Sequence, residues 1–331
     1  MLSRCAKFNL PNGDFFETPL LLPSFSSKGF PDLRKTIKIL EEHISGPVLI
    51  SAYDVHYKLI QKKITFSQQL LFIDSGGYEC SSVVDFINHS IGVYKPKKWN
   101  EKLFYKSISE LLEDNVPKVI ISYDHPRCRQ SLSVQISAAN SLFKHFGSQN
   151  TFVKEILLKP ESCHKDGQVL PAEKIAKNIN KFKTFDIIGL TEKELGESLL
   201  ERMANIYRIR QALDKNNMSQ LVHIFGSLDT ISTPLYFMCG ADIFDGLTWL
   251  RYSYSDGMTL YQPNYWAKTY GSDEKDYISK LHSFCDNYSY LRKLSLAMKS
   301  FKKSGDFASF GSNGDLFRKI WKECEAKMEG G

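Results

Sequence analysis

Long apolar runs are missing from this chain: in 331 residues no stretch approaches the ~20 that a membrane-spanning helix needs. The opening residues, MLSRCAKFNLPNGDFF, also lack the apolar centre of an export signal. A cytoplasmic protein with no membrane partner is therefore expected. Cysteine is sparse and scattered. Cys5, Cys80, Cys128, Cys163, Cys239, Cys285 and Cys324 are odd in number and never form a C-x-x-C pair. That speaks against a disulfide framework and against a clustered zinc site, so reduced cysteines, no metal and no cofactor are expected. No G-x-G-x-x-G follows the first apolar run, which removes the main sign of a dinucleotide-binding open sheet. Repeats and low-complexity tracts are absent too. The charge imbalance is small, +6 in formal terms, which is compatible with a polyanionic partner without demanding one.

What is present is the composition of a globular protein, 42% hydrophobic and 24% charged, arranged in alternation. Short apolar or β-branched runs at 20–24, 48–51, 71–74, 118–124, 153–159, 185–190, 221–226 and 242–248 read as eight strands. Amphipathic helical patterns lie between most of them, at 32–43, 100–114, 132–146, 172–182 and 197–215. Eight βα units in a chain of this length predict a closed (β/α)₈ barrel, an α/β fold of the TIM type, with an open doubly wound sheet as the alternative. The single domain is expected to span 1–331, with an N-terminal β-hairpin over 7–17 turning at Asn12-Gly13 and C-terminal helices within 274–328.

Barrel chemistry sits at the C-terminal ends of the strands. Those ends carry Asp74, Asp124, Lys159, Gly189-Leu190, Gly226 and Asp245. Any single aspartate there could be a helix N-cap. Three converging on one mouth, with Asp74 followed by Ser75-Gly76-Gly77, fit a site better, because a glycine pair lets backbone approach a ligand closely. Two carboxylates facing across a sugar are the working parts of retaining glycosyl transfer, one attacking the anomeric carbon and the other handling the leaving group's proton.

The residues also resemble a known family. Asp74-Ser75-Gly76-Gly77-Tyr78-Glu79 is similar to the D-S-G-G-[FY]-Q motif of tRNA-guanine transglycosylases, and Gly240-Ala241-Asp242-Ile243-Phe244-Asp245 to their G-x-D-x-F-D motif. The segment 13–23, GDFFETPLLLP, resembles their G-x-x-x-T-P-x-x-x-P stretch; Ile187-Ile188-Gly189-Leu190 resembles their I-G-G-L strand end, and 287–310 the helix that closes their barrel. The likeness spans roughly 8–310. It implies Asp245 as the nucleophile on C1′ of the target nucleotide and Asp74 as general acid/base. Asp124 and Lys159 would bind the guanine edge, Gly189 and Leu190 would add main-chain contacts, Tyr78 and Phe225 would sandwich the base, and Ser75, Gly76 and Gly77 would also bind it. Arg251 would touch the nucleic acid.

Three departures from that family stand out. Lys159 replaces its base-reading glutamine and can only donate. Glu79 replaces the glutamine of the first motif. The family's zinc-binding C-x-C-x-x-C with a downstream histidine is missing: Cys285 stands alone, Asp286-Asn287 replaces His-Asn, and the 251–275 stretch reads as a short loop. The run from Phe244 to Arg251, FDGLTWLR, looks more like a divergent branch that inserts 7-deazaguanines into DNA. The expectation is base exchange that replaces guanine in a nucleic acid, DNA ahead of tRNA, with a 7-deazaguanine such as 7-cyano-7-deazaguanine. A catalytically silent nucleic-acid-binding subunit and an unrelated barrel glycosidase are the alternatives, and a homodimer or a partner protein stays open.

Overall fold

The computed structural model describes residues 1–30, 32–60, 70–81, 94–113, 115–124, 129–147, 152–161 and 169–329. Cys128 and Cys163 lie outside them; the other five cysteines are free. Strands β1 (Lys7–Asn9) and β2 (Phe15–Glu17) form an antiparallel hairpin. Its turn places Gly13 at φ +90°, and Asn12 Oδ1 accepts from the Asp14 N–H at 3.1 Å. The next eight strands are β3 (Leu20–Phe25), β4 (Val48–Ser51), β5 (Leu71–Asp74), β6 (Lys118–Ile121), β7 (Val153–Leu158), β8 (Ile187–Thr191), β9 (Leu221–Phe225) and β10 (Ile243–Gly246). They are all parallel and close into a barrel in chain order, with β10 returning to β3.

Period-two alternation sorts the strand residues. Leu20, Leu22, Leu49, Phe72, Val119, Ile121, Val153, Leu157, Ile187, Leu221 and Ile243 form one apolar cluster with Phe8 and Leu10 of the hairpin. These strand residues lie mostly toward the strand starts, so the hairpin stoppers the N-terminal end of the barrel. Their neighbours Ile73, Ile120, Ile156, Ile188, Val222, Ile224 and Phe244 point the other way, into a larger cluster shared with helical residues such as Phe104, Ile108, Leu142, Met203, Ile206 and Ile209. Helix starts are fixed by side-chain caps: Asn100 accepts from the Leu103 N–H, and Ser198 from the Glu201 N–H.

Several boundaries differ from the sequence reading. The strand expected over 118–124 stops at Ile121, which leaves Ser122, Tyr123 and Asp124 to line the mouth. The strand expected over 242–248 is β10 alone, with Thr248 already in the helix Thr248–Arg251. The helix expected over 172–182 breaks at Asn178 into Ala172–Lys177 and the 3₁₀ turn Ile179–Phe182.

The stretch 251–275 is not a plain loop. It holds the hairpin β11 (Tyr252–Ser255) and β12 (Met258–Tyr261) and the helix Gln262–Thr269. Asp256 and Gly257 turn that hairpin at φ +50° and +78°, the Asp-Gly chemistry of a tight hairpin. Asn287, on the helix Asp276–Ser304, pins the hairpin: its side-chain amide donates to the Trp249 and Tyr252 carbonyls and accepts from the Tyr254 N–H. No helix among the described residues is long and apolar enough to cross a membrane.

Candidate active site at the barrel mouth

Asp245 lies on β10, two residues after inward-facing Ile243, and is 5% exposed. Its carboxylate gathers donors from two neighbouring strands and the loop after one of them. Ser24 Oγ donates to Oδ2 at 2.7 Å, the Gly226 N–H donates to Oδ1 at 3.2 Å, and His223 Nε2 stands 3.3 Å from Oδ1. The other members of the same motif serve the opposite end of the barrel. Asp242 is fully buried, accepts from the Val222 N–H and pairs with Arg4 at 2.8 Å. Gly240 is left-handed at φ +98°, and a Cβ there would sit 2.2 Å from Arg210 Cγ.

Asp74 ends β5 and is half-buried. Loss of hydration pushes its carboxyl well above the usual carboxylate range; the negative charges of Glu79, Asp124 and Asp245 push the same way, against a hydrogen bond from the Gly76 N–H. Asp74 is therefore built to hold a proton, whereas Asp245 is surrounded by donors. The two carboxyls of the mouth thus differ in surroundings, Asp74 beside other carboxyls and Asp245 beside a hydroxyl, a backbone N–H and an imidazole.

The glycine pair serves the protein itself. Gly76 needs its φ of +88°, and a Cβ there would meet Trp99 and Tyr53 at 2.8 Å; Trp99 Nε1 donates to the Ser75 carbonyl at 2.9 Å. A Cβ on Gly77 would lie 2.6 Å from Asp124 Oδ1. The absence of side chains at both positions is used at least by Trp99, Tyr53 and the carboxylate of Asp124. Ser75 Oγ donates to Asp124 Oδ1. Lys159 Nζ stands 3.8 Å from Asp124 Oδ2, donates to Thr191 Oγ1 at 2.8 Å and pairs with Glu194 at 3.2 Å. A cavity of about 390 Å³ opens beside these two residues, toward the helix Leu132–His145, and is also lined by Tyr123, Gln130, Gln135 and Asn100.

Tyr78 is half-buried and held from two sides. Arg251 Nη2 donates to its hydroxyl at 2.8 Å, and Lys28 Nζ sits 4.4 Å from its ring centre. Arg251, expected on the nucleic acid, is engaged here with the Tyr78 hydroxyl and lies over the Phe30 ring. Phe225 is half-buried and stacks on His223, with centroids 4.0 Å apart and planes 27° from parallel. Gly189 faces Glu155 and Phe225: a Cβ would come within 2.7 Å of each. The Leu190 side chain is fully buried in the outer cluster, so only its backbone is free to act at the mouth.

Two functional candidates escape a reading of the sequence, and a third is visible there only as a departure from the resembled motif. Glu155 on β7 and His223 on β9 are fully buried and meet at 2.8 Å through Nδ1. Burial alone would lower the histidine, but Glu155 and Asp245 more than reverse this and raise it to about 9. The readable signal is two ionisable residues at positions that alternation turns inward. Glu79, the third, is buried: Ser26 Oγ donates to it at 2.5 Å, and burial followed by the charge of Asp54 pushes it up to about 7.

Where the resembled family has its zinc, Asp286 instead accepts from the hydroxyls of Tyr265 and Tyr270 at 3.0 and 2.6 Å. Among the described residues no group of three or more His, Cys, Asp or Glu side chains is placed to hold a metal ion. No protein-family model matches the chain, and no curated protein matches it.

Proposed function

We propose that this barrel is a base-exchange transglycosylase that replaces guanine in a nucleic acid, DNA ahead of tRNA, with a 7-deazaguanine. The observation that carries the reading is the opposed treatment of two carboxyls at one mouth: Asp245 among donors, Asp74 dehydrated and crowded by negative charge. In this reading an Asp245 oxygen attacks C1′ of the target nucleotide. The C1′–N9 bond breaks and the Asp74 proton passes to the departing guanine, leaving a sugar ester on Asp245. The incoming base then loses its N9 proton to Asp74 and attacks C1′, which breaks the ester and returns both carboxyls to their starting states.

Asp124 supports the choice of guanine, because a carboxylate accepts from the N1–H and exocyclic amine together. Half-buried Tyr78 and Phe225 offer flat faces for a purine. Lys95, Lys97 and Lys98 are exposed on the segment that leads into Trp99, beside the Asp74 loop, and suit a phosphate backbone. A carbon at position 7 of the incoming base removes the nitrogen that accepts a proton as guanine leaves, which makes the exchange one-way.

The test is to incubate the protein with labelled guanine and, separately, duplex DNA, single-stranded DNA and tRNA. Label should enter one polymer, most of all DNA, and a protein–polymer adduct should survive denaturation. Asp245→Ala should lose both, by several orders of magnitude in rate. No label in any polymer, or near wild-type turnover by Asp245→Ala, overturns the reading. Label in tRNA alone moves the substrate from DNA to RNA.

A further inference from the structure

Inside the barrel, below the mouth, two ionisable side chains occupy space that hydrophobic residues could fill. Glu155 and His223 are fully buried, and Gly189 has no side chain where a Cβ would collide with the Glu155 carboxylate. An apolar pair of similar volume would pack this level at no desolvation cost. His223 Nε2 has no hydrogen-bond partner of good geometry, is buried, and is aimed at Asp245 Oδ1 at 3.3 Å. The strands around the imidazole present Phe72 edge-on from β5, Glu155 from β7, Phe225 stacked from β9 and Asp245 from β10. The ionisable groups facing it are therefore Glu155 on one side and Asp245 on the other.

We propose that His223, anchored by Glu155, is a positioning residue that sets a positive charge and an N–H behind Asp245, so that Asp245 carries the negative charge of the site while Asp74 keeps the proton. The inference rests on the base-exchange reading for its kinetic consequences, but not for its electrostatics. Glu155 accepts from Nδ1–H and fixes the ring, which leaves Nε2–H pointing at Asp245. At 3.3 Å that contact is loose; hydrogen bonds of this kind tighten once substrate is bound. Without the cation, five carboxyls (Asp74, Glu79, Asp124, Glu155 and Asp245) would act on one another around the mouth, with Lys159, itself paired to Glu194, near Asp124 among the described residues. The proton would then be shared among them instead of being assigned to Asp74. The histidine's raised affinity for its proton agrees with this role.

The first experiment needs no substrate. In protein carrying ¹⁵N-histidine, the His223 ring should be protonated on both nitrogens at neutral pH and lose its proton near pH 9. Glu155→Gln and Asp245→Asn should each move that titration down by at least about one unit. A ring carrying a single proton at pH 7 in the wild type overturns the proposal, whatever reaction the protein performs.

The second experiment is kinetic. His223→Gln should lower kcat about 10²-fold or more with KM changed little, and should shift the acid limb of kcat/KM upward by about one unit. Glu155→Gln should lower kcat in the same direction, and Glu155→Asp, which keeps the charge beside Nδ1, should lose less than Glu155→Gln. A merely structural role would lower kcat without moving the acid limb, and that result also overturns the proposal. A doubly protonated ring in a protein that exchanges no base strikes the function and leaves the charge arrangement standing.

Discussion

Ser24 on β3 and Asp245 on β10 face each other across adjacent strands, and the serine hydroxyl donates to Oδ2 across 2.7 Å. The same Ser24 oxygen accepts from the Gly246 N–H at 3.2 Å. Ser24 therefore orients the carboxylate and ties down the backbone that carries it.

Ser24→Ala should lower kcat/KM about 10- to 100-fold, the value of ~1.5–3 kcal/mol for a hydrogen bond to a charged group. Stability should fall by about 1 kcal/mol from the orphaned Gly246 N–H. Unchanged kinetics would show that the carboxylate is aligned by Gly226 and His223 alone.

Gly77 sets the position of Asp124. A methyl at 2.6 Å from Oδ1 and 2.8 Å from Oδ2 forces the carboxylate to move. Gly77→Ala should cost ~1–3 kcal/mol of stability, as overpacking does, and should weaken guanine use as much as loss of the Asp124 charge. The two should not add: Gly77→Ala in an Asp124→Asn background should cost little more activity than Asp124→Asn alone. Fully additive losses would separate Gly77 from the base site.

Glu79 and Asp54 make stability fall as pH rises. Folded Glu79 keeps its proton to about pH 7, and folded Asp54 to about 6. In the unfolded chain both ionise near pH ~4. The folded state then holds more protons across that window, so the stabilising contribution is complete below the unfolded values and lost as pH rises through 6 and 7. Glu79→Gln should flatten the decline of Tm between pH 4.5 and 7 and add on the order of 1–3 kcal/mol at pH 8. It should also move the alkaline limb of activity downward, because the Glu79 charge helps Asp74 retain its proton. A Tm profile identical to wild type would refute the buried, proton-holding Glu79.

The barrel is legible in the sequence because its physics is local. Each barrel strand shows a short apolar run, most of the longer helices between them a 3.6-residue stripe, and the hairpin at 7–17 a glycine where positive φ is required. Asp74 and Asp245 are legible as strand-end carboxylates. Glu155 and His223 are not, since attention to strand ends passes over ionisable residues deeper in β7 and β9, and their meaning depends on a closure that brings Glu155, His223 and Asp245 together. The glycine pair also has a packing role that no local pattern shows. What needs the room is Trp99 and Asp124, more than 20 residues further on, and no local motif announces them. The hairpin at Asp256-Gly257 does have a local signal, which the polar alternation of Tyr252–Ser255 obscures.

Exposed Lys95, Lys97 and Lys98 stand next to the anchored Trp99, and the backbone N–H of Lys97 donates to the Tyr53 hydroxyl at 2.7 Å. Changing all three to alanine should weaken polymer binding uniformly across sequences. It should also reduce the slope of log K against log salt by about 0.9 for each duplex DNA phosphate that is no longer neutralised. An unaltered slope would place the track of the polymer on another face of the mouth.

On the base-exchange reading, Asp124 is the residue that selects the base. Its Oδ1 is committed to the Ser75 hydroxyl, and Oδ2 faces Lys159 at 3.8 Å, so both oxygens are fixed in direction before a ligand arrives. Guanine presents two adjacent donors, N1–H and the exocyclic amine, to such a carboxylate; adenine presents an acceptor at N1 and leaves the buried charge facing a lone pair. Burying a carboxylate without donors costs a few kcal/mol, so discrimination should reach at least ~10³-fold. Asp124→Asn keeps the shape but replaces one acceptor by an amide donor, which meets guanine's own donors head-on. Guanine exchange should fall at least ~10²-fold while adenine is tolerated better than before. Lys159→Met should act differently. It removes the cation beside Asp124 and the partner of Glu194, so guanine exchange should weaken without any gain for adenine. The measurement is a competition between labelled guanine and labelled adenine over the wild type and both variants. Undiminished guanine exchange by Asp124→Asn would move base recognition away from the end of β6.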